Sequence, residues 1–137
     1  MTPVVIDASA GVEIVTDTAR GRRLSALMPA DAVGWVPQHF YVEVAGVIRH
    51  LTVVARTLPE AGALTALDRL QRWHLRQALV PPLLPLAWTF RHNMTMADAV
   101  YVALADELGA CFLSDDQKLM NAAPFPSGVI LLRLPVA

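Results

Sequence analysis

The chain has 137 residues, 55% of them hydrophobic, and a formal net charge of −1. That length is enough to close a single core, and no apolar run reaches the roughly 18–20 residues of a membrane-spanning helix. Near-neutral charge excludes bulk electrostatic attraction to nucleic acid, so any such binding must come from local basic groups.

In chain order, Pro3 to Asp7 (PVVID) reads as a first strand, and residues 9–28 (SAGVEIVTDTARGRRLSALM) as one or two helices. Ala32 to Pro37 (AVGWVP) reads as a second strand. From about Gln38 to Arg56, Phe40, Val44, Val47, Ile48 and Leu51 recur at the spacing of one buried helical face. A further helix is predicted from about Pro59 to Gln77, with its proline near the first turn. The prolines of VPPLLP (80–85) break the pattern, and LAWTFRHN (86–93) reads as a short helix. MTMADAVYVALADELGA (94–110) is the plainest helix, with Thr95 as N-cap and Gly109 as its stop. ACFLS (110–114) and GVILLRL (128–134) read as two more strands.

Strands that are apolar throughout and separated by helices imply a parallel sheet covered on both faces. There is no internal repeat, low-complexity tract or convincing linker, so residues 1–137 are expected to form a single α/β domain. The single cysteine, Cys111, lies in an apolar strand and cannot make an internal disulfide. With no basic, apolar leader at the N-terminus, a cytoplasmic setting is expected.

The carboxylates carry the functional signal. In open parallel sheets, ligands bind beyond the carboxyl ends of the strands. Asp7 ends the first strand, and Asp115 and Asp116 follow CFLS at the end of another. Asp98 and Glu43 stand near the starts of two mostly apolar helices. Each has an ordinary structural explanation, since Thr95 and Asp98 are spaced as a capping box and a first-turn acid suits the helix dipole. Together, however, two strand ends and two helix starts can meet at one sheet edge. Converging carboxylates repel one another, and burial disfavours their charged forms unless a cation compensates. All-oxygen ligation suits Mg²⁺ or Mn²⁺, and an ion so held can activate water and stabilise a phosphodiester under attack.

Other chemistries are poorly supported. The four histidines include no HExxH and accompany no cysteine pair, and His39 and Glu43, at i and i+4, suit a local structural pair. There is no GxSxG elbow, GxxxxGK[ST] loop or GxGxxG loop.

VVIDASAGVEIV, YVEVAGVIRHL, TMADAVYVALADELGA and FLSDDQKL, in this order, resemble the PIN-domain ribonucleases, specifically the VapC-type toxins of bacterial toxin–antitoxin pairs. The resemblance spans residues 4–119. It implies a three-layer α/β/α sandwich around a parallel sheet, and Mg²⁺- or Mn²⁺-dependent endoribonuclease activity. It carries the acidic metal-binding and catalytic set onto Asp7, Glu43, Asp98 and Asp116. It favours Asp116 over Asp115, because SDDQKL matches the family pattern of a hydroxyl residue two positions before the last acid, here Ser114. Ser9 is either a further orienting hydroxyl or an N-cap, and Asp115 is an extra charge beside the set. Arg20, Arg22, Arg23, Arg49, Arg91 and Lys118 are candidate RNA phosphate contacts, with solvated surface charge as the alternative. The resemblance also implies a homodimer and a VapB-type antitoxin partner. Two rivals are a non-catalytic PIN-like scaffold and a phosphoacceptor receiver domain, and the latter expects adjacent acids after the first strand, which IDASAG lacks.

Overall fold

The computed structural model describes residues 1–122 and 124–135. Five strands form one parallel sheet: β1 (Thr2–Ile6), β2 (Ala32–Pro37), β3 (Arg76–Ala78), β4 (Cys111–Leu113) and β5 (Ile130–Leu132), in spatial order β3-β2-β1-β4-β5. Between them run α1 (Ala8–Val15), α2 (Ala19–Ala26), α3 (Phe40–Arg49), α4 (Glu60–Arg72), α5 (Leu84–Trp88), α6 (Met96–Leu108) and the single turn α7 (Gln117–Met120).

The strand order explains the layers. The chain travels outward from β1 to β3, returns to place β4 on the other side of β1, and ends at β5. Right-handed crossovers in opposite directions put their helices on opposite faces. Accordingly α1, α3 and α4 pack together on one face, while α6 lies against β1, β2 and β4 with α5 beside it. This is the expected α/β/α sandwich. Val4, Val5, Ile6, Val36, Phe112 and Leu113 fill the sheet interior and are essentially inaccessible. On α6, seven consecutive residues from Ala99 to Ala105 are buried, so its charged side chains are confined to its two ends, Asp98 at the start and Asp106 and Glu107 at the finish.

Several expectations were met closely. Ala32–Pro37 is a strand over the predicted residues, residues 9–28 divide into two helices, and Thr95 and Gly109 cap α6. Gly109 has φ +58°, a left-handed conformation in which glycine carries no Cβ penalty. Phe40, Val44 and Ile48 form the core face of α3, but Val47 is exposed and Leu51 lies in a π-helical turn, His50–Val54, which re-aims the face.

Others need correction. The helix predicted to reach Gln77 ends at Arg72, and Arg76–Ala78 is instead the edge strand β3, paired with Trp35 to Pro37. This edge strand escapes the apolar-run signal because it is short and polar. The helix predicted over residues 86–93 starts earlier, with a 3₁₀ turn at Pro81–Leu83 leading into α5, and stops at Trp88. Prolines at helix starts lose no hydrogen bond, so this cluster initiates a helix where a break was expected. The turn α7, capped by Asp116, was not anticipated.

Candidate active site

The sheet reverses its direction of travel at β1 and β4, and ligand sites in such sheets fall at that switch point. Asp7 and Ser114 leave the carboxyl ends of these neighbouring strands, whose register pairs Ile6 with Leu113. Asp7 is only 4% exposed. It caps α1, with Oδ1 accepting from the Ala10 amide at 3.1 Å and the Ser9 hydroxyl at 2.7 Å, while Ser114 Oγ donates to Oδ2. The cap at this turn therefore belongs to Asp7. Ser9 is a bridge instead: its hydroxyl also accepts from the Asp115 amide at 2.9 Å. Ser114 Oγ in turn accepts from the Asp116 amide at 3.0 Å, tying both strand ends into one network.

Asp98 lies in the first turn of α6, its amide donating to Thr95 Oγ1 at 3.2 Å, so the capping role and the site position coincide. Asp116 caps α7 by accepting from the Leu119 amide at 3.1 Å. Asp98, Asp116 and Lys118 share a cleft of about 270 Å³ with Asn93, Met94, Thr95 and Leu119. Glu43 extends from α3, its Oε1 accepting from Tyr101 Oη at 2.7 Å and lying 3.3 Å from His39 Nε2. His39 Nε2 also sits 3.1 Å from the Ala97 carbonyl; both neighbours are acceptors, so Nε2 carries the proton. The i, i+4 pairing of His39 with Glu43 is thus present.

Electrostatics link the four acids. Burial pushes Asp7 up from 3.8 to about 6 despite its three hydrogen bonds, and the charge of Asp98 adds to the rise. Asp98 is also raised, first by burial, with Asp116 and Glu43 contributing repulsion. Among the described residues no ion pair ends on Asp7, Asp98 or Asp116, whereas Asp115 is bound by Arg20 and Glu43 faces His39. This uncompensated negative charge fits a hard divalent cation. No group of three acidic, histidine or cysteine side chains among the described residues is drawn to ligating distance. Mg²⁺ keeps several of its waters, through which an acid can act on an ion that it does not touch directly.

Comparison with known proteins gives the family. Ribonuclease VapC12 of Mycobacterium tuberculosis is 33% identical over 123 residues, covering 87% of this chain and 91% of its own. The chain belongs to the VapC family of PIN-domain ribonucleases. Ribonuclease VapC3 of the same organism is 34% identical over 128 residues, covering 88% of each chain. Among solved structures, the Mycobacterium tuberculosis toxin VapC20, described as cleaving the sarcin–ricin loop, superposes with a TM-score of 0.63 at 18% identity, covering 90% of this chain and 99% of its own. VapBC2 from Rickettsia felis, solved bound to a fragment of promoter DNA, gives 0.64 at 9% identity over 96% and 98% of the two chains. These two likenesses concern the fold. No family model matches the chain.

The basic candidates of this VapC chain are scattered. Lys118 alone lines the acidic cleft, and no ion pair joins it to Asp116 among the described residues. Arg20 binds Asp115, and Arg22 binds Asp17. Arg23 is exposed, Arg49 borders a groove between α3 and α4, and Arg91 stacks on the Trp88 ring at 4.9 Å. Sequence reasoning missed Tyr101 as a partner of Glu43. No local pattern marked it, because the two residues are 58 positions apart and meet only in the fold.

Proposed function

We propose that this chain is a Mg²⁺- or Mn²⁺-dependent endoribonuclease toxin in which Asp7, Glu43, Asp98 and Asp116 form the acidic metal-binding set. The observation that carries the reading is the burial of Asp7 at the β1–β4 switch point, with Asp98 and Asp116 lining the neighbouring cleft and no cation paired to the three aspartates among the described residues. A bound divalent ion supplies an acidified water and stabilises charge developing on the phosphodiester. Asp7, Asp98 and Asp116 would hold that ion. Ser9 and Ser114 orient Asp7 by donating to its two oxygens. Tyr101 and His39 fix Glu43 at Oε1. Lys118, which lines the cleft with Asp98 and Asp116, would meet an RNA phosphate as a point charge.

The wider reading is that residues 1–137 act as one PIN domain in the cytoplasm, as a homodimer restrained by a VapB-type antitoxin. The VapBC2 complex among its structural neighbours supports the antitoxin. No described helix is long and apolar enough to cross a membrane. The deciding experiment incubates the purified, antitoxin-free protein with total bacterial RNA and Mg²⁺ or Mn²⁺, with EDTA, and with Asp7→Asn in parallel. Discrete fragments that require both the metal and Asp7 are expected. Fragments that persist with EDTA, or undiminished in Asp7→Asn, would remove the metal set from the reading.

A further inference from the structure

Two acids stand side by side after β4, and the structure gives them different partners. Asp115 turns to α2, where Arg20 grips it with a two-pronged contact: Nε lies 2.8 Å from Oδ1 and 2.7 Å from Oδ2, and Nη2 lies 2.7 Å from Oδ1. The Asp115 side chain is mostly buried at 12% exposure, while Arg20 is 41% exposed. Its amide is held by Ser9 Oγ, and the next amide, that of Asp116, by Ser114 Oγ. Asp115 is thus fixed at side chain and backbone, one residue before a proposed metal ligand.

The anchor itself is stiff. Arg20 lies in the first turn of α2, whose cap Thr18 accepts from the Gly21 amide at 2.9 Å and donates to the Glu13 carboxylate of α1. At Gly21 a Cβ would stand 2.0 Å from the Glu13 carbonyl oxygen, so α2 is seated directly on α1. Asp7 caps that same α1.

We propose that Arg20 and Asp115 form a latch that positions the Asp116 loop for metal binding, making Arg20 a positioning residue rather than an RNA contact. The inference rests on the metal-dependent reading above. Two physical consequences follow from the contact. Arg20 cancels the charge of Asp115, leaving Asp116 as the unneutralised acid of the pair. It also spends the Nε and Nη2 edge of its guanidinium, the fork that would otherwise clasp a phosphate.

The test compares wild type, Arg20→Gln, Arg20→Lys, Asp115→Asn and the Arg20→Gln/Asp115→Asn double variant. Mn²⁺ binding is followed by electron paramagnetic resonance, amide exchange over residues 114–119 by mass spectrometry, and kcat and KM on an RNA oligonucleotide that the wild type cuts. Arg20→Gln and Asp115→Asn should each weaken Mn²⁺ binding and lower kcat by about tenfold, as for other partners of metal ligands, with KM little changed. Both should speed amide exchange in the loop, the double variant should add little to either, and Arg20→Lys should fall between wild type and Arg20→Gln. A raised KM in Arg20→Gln, with Mn²⁺ binding and loop exchange as in wild type, would show an RNA contact and overturn the latch. Faster loop exchange with unaltered Mn²⁺ binding would reduce the pair to a structural tether and also overturn it. Wild-type protein that binds no Mn²⁺ and cuts no RNA would instead overturn the metal-dependent reading, and the latch's role with it.

Discussion

Tyr101 shows how one buried hydroxyl can govern a neighbouring acid. The ring is 1% exposed and burial, reinforced by Glu43, raises its pKa, so the phenol stays a neutral donor to Glu43 Oε1. Tyr101→Phe keeps the ring volume and leaves His39 as the remaining described partner of that oxygen. The expected result is a kcat lowered on the order of tenfold, as when other orienting partners of a metal ligand are removed, with a stability loss of about 1 kcal/mol for the hydrogen bond. Steady-state kinetics and urea unfolding on the same preparation separate the two effects. A wild-type kcat with reduced stability would leave the hydroxyl a packing role only. At this scale Asp7 and Asp116 stand out in the sequence because a carboxylate following an apolar strand is conspicuous. Tyr101 does not, since an aromatic among Val100, Val102 and Leu104 looks like any other core residue until the fold shows its hydroxyl at Glu43.

Helix packing transmits these placements. Gly21 and Gly46 both lie inside helices, yet their surroundings differ: a Cβ at Gly21 would strike the Glu13 carbonyl, while at Gly46 nothing lies within 4 Å. Gly46→Ala should stabilise the protein by about 0.5–1 kcal/mol through helix propensity alone. Gly21→Ala must lift α2 from α1 and should destabilise it by about 1–3 kcal/mol, as overpacking does. Because α2 carries Arg20, the same variant should also loosen its contact with Asp115. Urea midpoints for the two variants check the signs, and a stabilised Gly21→Ala would mean that the two helices separate at little cost. Helix α3 could be read from the sequence because its buried face repeats every three to four residues, and α6, buried at every position from Ala99 to Ala105, from its caps Thr95 and Gly109. The edge strand β3, RQA, has no apolar run to betray it; only its register with Trp35, Val36 and Pro37 makes it a strand. The turn α7 is likewise created by the Asp116 cap rather than by periodicity.

For the molecule as a whole, the acidic site opposes the fold that builds it. Asp7 is a carboxyl whose folded-state pKa is raised, so the native state binds its proton more tightly than the unfolded chain does. Its contribution therefore falls as pH rises from about 4 to about 6 and is fully unfavourable above that; a shift from 3.8 to about 6 corresponds to about 3 kcal/mol. Asp98 is shifted in the same direction. In EDTA, the stability of wild type relative to Asp7→Asn should decline between pH 4.5 and pH 7.5, as measured by urea unfolding. A divalent ion should reverse this at neutral pH, since it binds the folded site and neutralises the repulsion. At a free Mg²⁺ concentration ten times its dissociation constant, the gain should be about 1.4 kcal/mol in wild type, and Asp7→Asn, lacking the buried charge, should gain much less. Equal Mg²⁺ stabilisation of both proteins would place the ion away from Asp7. A flat pH profile in EDTA would instead mean that Asp7 is better solvated than its burial implies, removing the buried, unpaired charge on which the metal reading depends.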